Sequence, residues 1–303
     1  MITALCRSQV NGDPFFTLTQ NALADRSYLQ YVRSIYGARI YVPTNEDLER
    51  ALGQYLEDAL RRRKENKLKP GEDVKEIDGK LHVSGQVSVM AINGLLTKLI
   101  FDKNPDREFY IEESFPLDWM YPHLSPNGLI LNMNRQPLAE LSDEVVRRDH
   151  EYWTRYIRPM IGDWLTDETP VRQIAAFVEK AHVNHDLSGF KGDPRFVQND
   201  APQKLFSKLR SSIGGIYSWR FAGAKSPAEK ERMLKEADFA FRQAFALCPR
   251  SAEAVFRYFT LLSGQRRLDD AILLVESALK LEPEMNGVLS YWLEQLKKVK
   301  KPG

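Results

Sequence analysis

Four residues near the C-terminus recur at one fixed distance along the chain, and this period constrains the fold more than any other feature. Ala237, Phe241, Ala244 and Pro249 are followed, each 34 residues later, by alanine, valine, alanine and proline. Small alanines let two helices of a hairpin approach closely, the larger apolar residue fills the remaining gap, and proline ends the helix. The pattern therefore predicts a stack of helical hairpins over 202–303.

This period and spacing are those of the tetratricopeptide repeat, so the region resembles that repeat family. Its second repeat would begin with a helix from Ala252 to Ser263, and a helix near Leu289 and Trp292 would cap the array. In such hairpins the first helix lines a concave groove, which predicts that a protein or peptide binds there. The side chains expected to face the groove are Glu253, Phe256, Thr260 and Ser263.

Three other side chains of the same helix, Tyr258, Phe259 and Leu262, should instead pack on neighbouring helices. Phe256 separates two interpretations of the array. An aromatic side chain on an open face is an anchor for a partner, whereas a covered one belongs to the core. The alternative to a binding groove is a scaffold role, in which the short array only leans on the helices before it.

Short strand-like runs alternate with helical patterns up to residue 137, and strand signals disappear after it. This alternation predicts an α/β domain over 1–137 with a small, mostly parallel sheet. One run, Arg39 to Pro43, is expected to be a strand, and Asp78-Gly79 predicts a β-hairpin turn. The remainder divides into a helical connector over 138–201 and an all-α, tetratricopeptide-like array over 202–303 that ends in a capping helix.

Carboxylates follow several of the predicted strands. Ligands of parallel sheets bind beyond the carboxyl ends of the strands, so these side chains are candidates for catalysis. The candidate acids, bases or metal ligands are Asp25, Glu112, Glu113 and Asp118. The alternative is structural, because the two adjacent glutamates could cap the turn that follows them. Trp119 and Tyr121 could form a platform on which a sugar stacks, with ordinary packing of the two rings as the alternative.

Charge and motifs exclude several classes of function. Lysine and arginine total 43 against 41 aspartates and glutamates, a net charge of +2 that gives no bulk attraction to nucleic acid, and we expect no nucleic-acid partner. The chain has no P-loop, GxGxxG, GxSxG or HExxH motif, so we predict no cofactor. His182, His185 and Asp186 are residue types that bind metals, but a helix end running into a polar loop makes such a cluster incidental, and no metal site is predicted.

Several strings resemble those of a known protein family. They are TQNALAD at 19–25, YLQY at 28–31, MAIN at 90–93, NPDREFY at 104–110 and LSPNGLILNMN at 124–134. With the terminal repeats, they resemble the extramembrane C-terminal region of bacterial multi-spanning membrane proteins similar to the transmembrane protein O-mannosyltransferase, a GT-C glycosyltransferase. The resemblance implies a non-catalytic module for protein or glycan-acceptor recognition on the extracytoplasmic side of the cell envelope. Catalysis and membrane contact would lie in a preceding membrane half.

Two alternatives stay open. The first is a stand-alone cytoplasmic adaptor that uses only the repeat groove, and in-frame apolar spans upstream of this chain would refute it. The second is an enzyme whose carboxylates lie at the edge of the sheet. Carboxyl groups roughly 5–10 Å apart in an open cleft would support glycoside-type chemistry. Carboxylates that are capped by backbone N–H groups or point to solvent would argue against it.

Overall fold

A computed structural model describes residues 2–7, 14–18, 22–77, 80–112, 116–282 and 286–300, which divide into two compact units. The first unit comprises the residues up to 112 together with 116–123 and 132–137. The second comprises 124–131 and the described residues from 138 onward. Helices dominate both units among the described residues.

The first unit has short strands and three longer helices. Its elements are β1 (Ile2–Arg7), β2 (Pro14–Leu18), α1 (Arg26–Tyr36), α2 (Asn45–Lys64), β3 (Asp73–Ile77), β4 (Lys80–Ser84), α3 (Gln86–Lys103), β5 (Phe109–Ile111), a 3-10 turn (Tyr121–His123) and residues 132–133 of β7 (Ile130–Met133). The larger sheet runs in the order β1, β2, β5 and β7 within this unit. β3 and β4 form a separate hairpin.

The predicted small, mostly parallel sheet is wrong. β1 and β2 pair antiparallel, with Ile2 opposite Leu18, and β3 and β4 pair antiparallel, with Asp73 opposite Ser84. β2 and β5 pair in parallel over only a short register around Phe16 and Phe109. The strands are therefore short elements of a mainly helical unit, and the assignment of 1–137 to an α/β domain with a mostly parallel sheet does not hold.

The run Arg39 to Pro43, predicted as a strand, shows why the sheet was overestimated. The structure leaves this segment irregular. The Asn104 side chain accepts a hydrogen bond from the Tyr41 backbone N–H at 2.6 Å and donates one to the Tyr41 carbonyl at 3.1 Å. A side chain thus satisfies the backbone groups that a neighbouring strand would otherwise bond. An apolar, β-prone run cannot reveal such a partner 63 residues away.

The helices of the first unit begin where the sequence supplies caps. Thr44 and Asp47 form a capping box at the start of α2, and its last turn carries the basic residues 61–64, which suit a helix C-terminus. α3 buries eight of its 18 residues, and the polar residues among them have specific partners. Asn93, for example, accepts a hydrogen bond from the Ala24 backbone N–H at 2.8 Å.

The described part of the second unit consists of helices, one short strand and residues 130–131 of β7. Its elements are β6 (Leu124–Asn127), α4 (Asp143–Ile161), α5 (Val171–Val178), a π-helical segment (Glu179–Val183), α6 (Pro194–Val197), α7 (Asp200–Gly223), α8 (Pro227–Leu247), α9 (Ala252–Gly264), α10 (Leu268–Leu281) and α11 (Asn286–Lys300). From α7 to α11 each helix packs on the next. α8 also packs on α4 and α5, α10 packs on α5, and α7 packs on α9.

The residues that recur with the 34-residue period lie in the core of this stack. Ala237, Phe241 and Ala244 of α8 are buried, and so are their counterparts in α10, Ala271, Val275 and Ala278. A Cβ atom on Gly214 of α7 would lie 2.7 Å from the Phe241 ring, so α7 and α8 approach as closely as the small residues allow. Pro283 lies outside the described residues. The periodic positions thus hold the helices together, and the assignment to the tetratricopeptide family stays a prediction.

A buried polar network joins α4, α7 and α8. Arg210 is fully buried and donates to Asp149 at 2.8 Å and to the Gln243 side-chain oxygen at 2.7 Å. Tyr217 donates to the same Asp149 oxygen at 2.9 Å, and the Arg210 guanidinium lies 5.2 Å from the Trp153 ring centre. Buried charges are tolerated only when they are paired, so this network specifies how the three helices pack.

None of the helices in the described part of the chain is long and apolar enough to cross a membrane.

Candidate functional site

The candidate carboxylates occupy different environments. Asp25 caps α1, because its Oδ1 accepts a hydrogen bond from the Tyr28 backbone N–H at 2.7 Å. Glu112 is half-buried directly after β5, and Asp118 is exposed. Glu113 lies outside the described residues. Neither of the other two described carboxylates is hydrogen-bonded to Asp25, which therefore has a structural role here.

Trp119 and Tyr121 lie in a packed part of the first unit. The Trp119 ring centre is 5.8 Å from that of Phe101 and 6.3 Å from that of His123, and the Lys98 ammonium lies 5.6 Å from the Trp119 ring. Tyr121 is half-buried in the 3-10 turn. The Trp119 ring therefore already has an aromatic, an imidazole and a cationic neighbour, which is the environment of a packed side chain.

The α9 side chains that were expected to face a groove are accessible to different degrees. Phe256 is 45% exposed, and Thr260 is exposed with its hydroxyl donating to the Phe256 carbonyl at 2.8 Å. Glu253 and Ser263 are half-buried. On the other side of the helix, Tyr258 and Leu262 are completely buried. The exposed side of α9 therefore carries an aromatic ring.

Sequence reasoning missed the residue that extends this surface. Trp292 of α11 lies with its ring centre 4.6 Å from Phe259, nearly parallel at 13°, and 5.4 Å from Phe256. Tyr291, beside it, is 59% exposed. The 34-residue period places Trp292 at the position of Tyr258, which is a packing position, so the spacing gave no signal that Trp292 would extend this surface. We call Phe256, Phe259, Tyr291 and Trp292 the aromatic face.

Polar contacts hold the helices that carry the aromatic face. Arg257 of α9 donates to the Ser211 carbonyl of α7 at 3.2 Å and lies 3.4 Å from Glu253. Gly215 makes room for this arginine, since a Cβ atom there would lie 2.0 Å from the guanidinium. On α11, Lys297 pairs with Glu276 of α10 at 2.7 Å. The aromatic side chains therefore project from helices that are tied to their neighbours.

A cavity of about 380 Å³ in the second unit lies elsewhere, between α5 and residues 186–191. Its apolar wall is formed by Trp164, Phe177 and Phe190, whose rings contact one another at centre distances of 4.9 and 5.9 Å. Lys180, on its rim, donates to the Ser188 carbonyl at 2.6 Å. The three rings pack on each other and the rim lysine already has a backbone partner, while Asp163, Gln173 and Lys191 also line the cavity.

Within the described ranges, no group of three histidine, cysteine, aspartate or glutamate side chains could hold a metal ion.

No family model, no curated protein and no solved structure matches the chain. The resemblances to the glycosyltransferase family and to the tetratricopeptide repeat therefore stay predictions from the sequence.

Proposed function

We propose that the second unit is a recognition module that binds a peptide segment of another protein on its aromatic face. The observation that carries the proposal is the ring cluster of α9 and α11. Phe256 stays 45% exposed although it lies beside Trp292, in a stack whose neighbouring helices bury most of their apolar side chains.

The packing of α8 and α10 supports the aromatic face as the binding surface. α8 packs on α4 and α5, and α10 packs on α5, so the second helix of each predicted hairpin is covered within the chain. Among the described residues of the second unit, the two most exposed aromatic side chains are Tyr291 of α11, the predicted capping helix, and Phe256 of α9, a predicted first helix; Trp219 of α7 is 40% exposed. A partner therefore has access to the same helices that line the groove in a tetratricopeptide array.

The chemistry of the face favours apolar side chains of the peptide as anchors. Phenylalanine, tyrosine and tryptophan offer large contact areas and lose little side-chain entropy on binding. The exposed Thr260 hydroxyl and the half-buried Glu253 carboxylate lie on the same helix and can bond the peptide backbone. Binding energy at such surfaces is concentrated in a few aromatic residues, so Phe256 and Trp292 should dominate the affinity.

The proposal is tested by selecting ligands from a random peptide library on the full chain and measuring their affinities by fluorescence polarisation. We expect the selected peptides to share apolar or aromatic residues. Phe256→Ala should weaken their binding roughly thirtyfold, which is the loss of about 2 kcal/mol typical of a hot-spot residue.

Tyr31→Ala is the matched control, because Tyr31 is an exposed aromatic residue, 61% accessible, in the first unit. This variant should bind the selected peptides as the wild type does. Recovery of no peptide, or equal affinity of the Phe256→Ala and wild-type chains for every peptide, would contradict the proposed function.

The sequence resemblance extends this proposal to a parent protein. A recognition module of a membrane O-mannosyltransferase-like enzyme would present acceptor polypeptides, or glycan acceptors, to a membrane-embedded catalytic half. Reading the genomic sequence upstream of this chain tests that extension. In-frame apolar spans of roughly 20 residues each would support it, and a stand-alone gene would contradict it.

A further inference from the structure

The cavity of about 380 Å³ beside α5 has a wall of aromatic rings. Trp164 follows α4, Phe177 lies on α5 and Phe190 lies in the 186–191 segment, so the rings come from separate parts of the chain. Each of the three residues is only partly buried. Sites for small molecules typically enclose about 300–1,000 Å³ and combine apolar and aromatic walls with a few polar groups. This cavity fits that description and shares no residue with the aromatic face.

Hydrogen bonds hold the rings of the wall in place. The Trp164 indole donates its only N–H to the Ile161 carbonyl at 2.8 Å, so it offers a ligand its ring and no hydrogen bond. The Phe177 ring centre lies 4.9 Å from that of Trp164 and 5.9 Å from that of Phe190. The Phe190 backbone N–H donates to the Leu187 carbonyl at 3.0 Å, which closes the turn that carries this ring. The wall is therefore a preformed aromatic surface.

The charged side chains that line the cavity balance one another. They are two lysines and two aspartates, so their formal charges sum to zero. Lys180 donates to the Ser188 carbonyl at 2.6 Å and lies 3.9 Å from Asp186, which accepts a hydrogen bond from the Ser188 backbone N–H at 2.8 Å. Asp163 and Lys191 contribute one charge of each sign. A charged ligand would lose hydration and meet a like charge on the rim, which disfavours either sign.

The rim nevertheless offers hydrogen bonds of both kinds to an uncharged group. The Gln173 amide and the Lys191 ammonium can donate, and the Asp163 carboxylate, 3.6 Å from the Arg158 guanidinium, can accept. Gln173, Lys191 and Asp163 are all exposed. A hydroxyl group both donates and accepts without carrying a charge, so it suits this rim.

The backbone at one side of the cavity is irregular. The Asn184 backbone N–H donates to the Glu179 carbonyl at 2.9 Å, which is the i→i+5 bond of a π-helix. Lys180 and Ala181 of this π-helical segment line the cavity. π-helical turns are rare and occur frequently at functional sites. This geometry marks the same cavity independently of its rings.

We propose that this cavity binds an uncharged aromatic molecule of one or two rings that carries a hydroxyl or another neutral polar group. Its ring packs on Trp164, Phe177 and Phe190, and its polar group lies at the rim near Gln173 and Lys191. Aromatic pairs gain from offset and edge-to-face arrangements beyond the area that they bury. An aromatic ligand is therefore favoured over a saturated one of the same size.

Benzyl alcohol is the probe for the first experiment. The full chain is labelled with 5-fluorotryptophan, and ¹⁹F spectra report its five tryptophans, with Trp164→Phe and Trp292→Phe assigning two of the signals. We expect a saturable shift of the Trp164 signal on titration with benzyl alcohol. The Trp292 signal is followed in the same spectra, so any binding at the aromatic face is measured separately.

Three probes of matched size test the class of ligand at constant ionic strength. Cyclohexylmethanol keeps the hydroxyl but lacks the aromatic ring, so it should bind roughly threefold more weakly than benzyl alcohol. Benzoate and benzylammonium keep the ring but carry a charge, and each should bind roughly fivefold more weakly or worse because of lost hydration.

Phe190→Ala tests the wall directly. It removes one ring from the cavity, so the affinity for benzyl alcohol should fall roughly fivefold, as expected when one aromatic contact is lost. Phe221→Ala is the matched control, because Phe221 is a half-buried phenylalanine of α7 that does not line the cavity. This variant should bind benzyl alcohol as the wild type does.

Four results would overturn the proposal. The first is the absence of a saturable Trp164 shift with benzyl alcohol in the wild-type chain. The second is binding of either charged probe as tight as that of benzyl alcohol, and the third is equally tight binding of cyclohexylmethanol. The fourth is unchanged affinity in a folded Phe190→Ala chain. The wild-type titrations decide the matter even where the variant does not fold, and none of these outcomes depends on peptide binding at the aromatic face.

Discussion

Two successive helices of the second unit, α8 and α9, differ sharply in what covers them. Every residue of α8 from Glu236 to Leu247 is buried, including Arg242 and Gln243. α9 buries one side and leaves Phe256 and Thr260 exposed. α8 packs on α4 and α5 in addition to its neighbours along the chain, whereas α9 packs on α7, α8 and α10. The contrast teaches that burial in this stack is decided by the helices that precede it.

The charged side chains of the buried helix α8 are held by specific partners. Arg242 pairs with Asp238 and donates to the carbonyls of Asp167 and Thr169 at 2.7 and 2.8 Å. Asp238 also pairs with Arg267 at 2.7 Å. These contacts tie α8 to the residues before α5 and to the start of α10. The polar groups of α8 therefore define its position, whereas the exposed ring of α9 contributes little to the fold.

The largest effect on stability should follow from removing Asp149. Asp149→Ala leaves the fully buried Arg210 guanidinium without its carboxylate, and an uncompensated buried charge costs about 3–5 kcal/mol of unfolding free energy. Urea unfolding followed by circular dichroism measures the change. Asp143→Ala, on the same helix but at a 97% exposed side chain, should cost at most about 1 kcal/mol. Equal losses of unfolding free energy in the two variants would show that the buried network stabilises the fold no more than an exposed side chain does.

A smaller loss is expected where α7 and α8 approach. In Gly214→Ala the new Cβ atom would lie 2.7 Å from the Phe241 ring and 3.2 Å from the Ala240 Cβ, which forces the helices apart. Overpacking costs about 1–3 kcal/mol, while the gain in helix propensity is at most about 1 kcal/mol. We expect a net destabilisation in the same urea experiment. Gly223→Ala, which meets no atom within 4 Å, is the control and should not be destabilised.

The stability that the contact between α4 and α8 contributes should depend on pH. His150 Nδ1 lies 3.1 Å from the Glu236 carboxylate, and this hydrogen bond raises the pKa of His150 above 6.5 despite partial burial. A raised pKa in the folded state adds stability below pH 6.5, and this stability is lost as the pH rises through the folded value. The stability difference between wild type and His150→Gln should therefore shrink between pH 5.5 and 8.5.

Glu236→Gln provides the second arm of that experiment. Without the Glu236 carboxylate, His150 loses the main interaction that favours its charged form, and only the weaker contribution of Asp167 remains. His150→Gln introduced into this background should therefore show a much flatter difference over the same pH range. A difference that persists in the Glu236→Gln background would assign the pH dependence to another group.

The sequence predicted the helical stack better than the sheet, and the reason is physical. The 34-residue period reports local steric requirements, and its alanines are buried as close helix packing demands. The segment around Tyr41 depends on a distant partner, Asn104, which no local pattern reveals. The same holds for the candidate sites. Phe256 could be singled out from its place on the helix, but its exposure depends on which helices surround α9.

Trp292 and Phe190 show the same limit at the level of single side chains. Trp292 follows the period, yet its stacking on Phe259 requires the packing of α11 beside α9. Phe190 lies in a loop, and nothing in the local sequence indicates that it shares a cavity with Trp164 and Phe177. The functional proposals rest on residues from different helices and loops, and these residues come together only in the folded chain.

The most direct test compares two phenylalanines, Phe241 on the buried helix and Phe256 on the open one. Phe241→Ala should cost about 3–5 kcal/mol of unfolding free energy, the loss expected for a buried ring. Phe256→Ala should cost roughly 1 kcal/mol or less, yet it should weaken binding of the library-selected peptides roughly thirtyfold. A loss of stability in Phe256→Ala equal to that in Phe241→Ala, or unchanged peptide affinity, would contradict the account of α9 as the recognition helix.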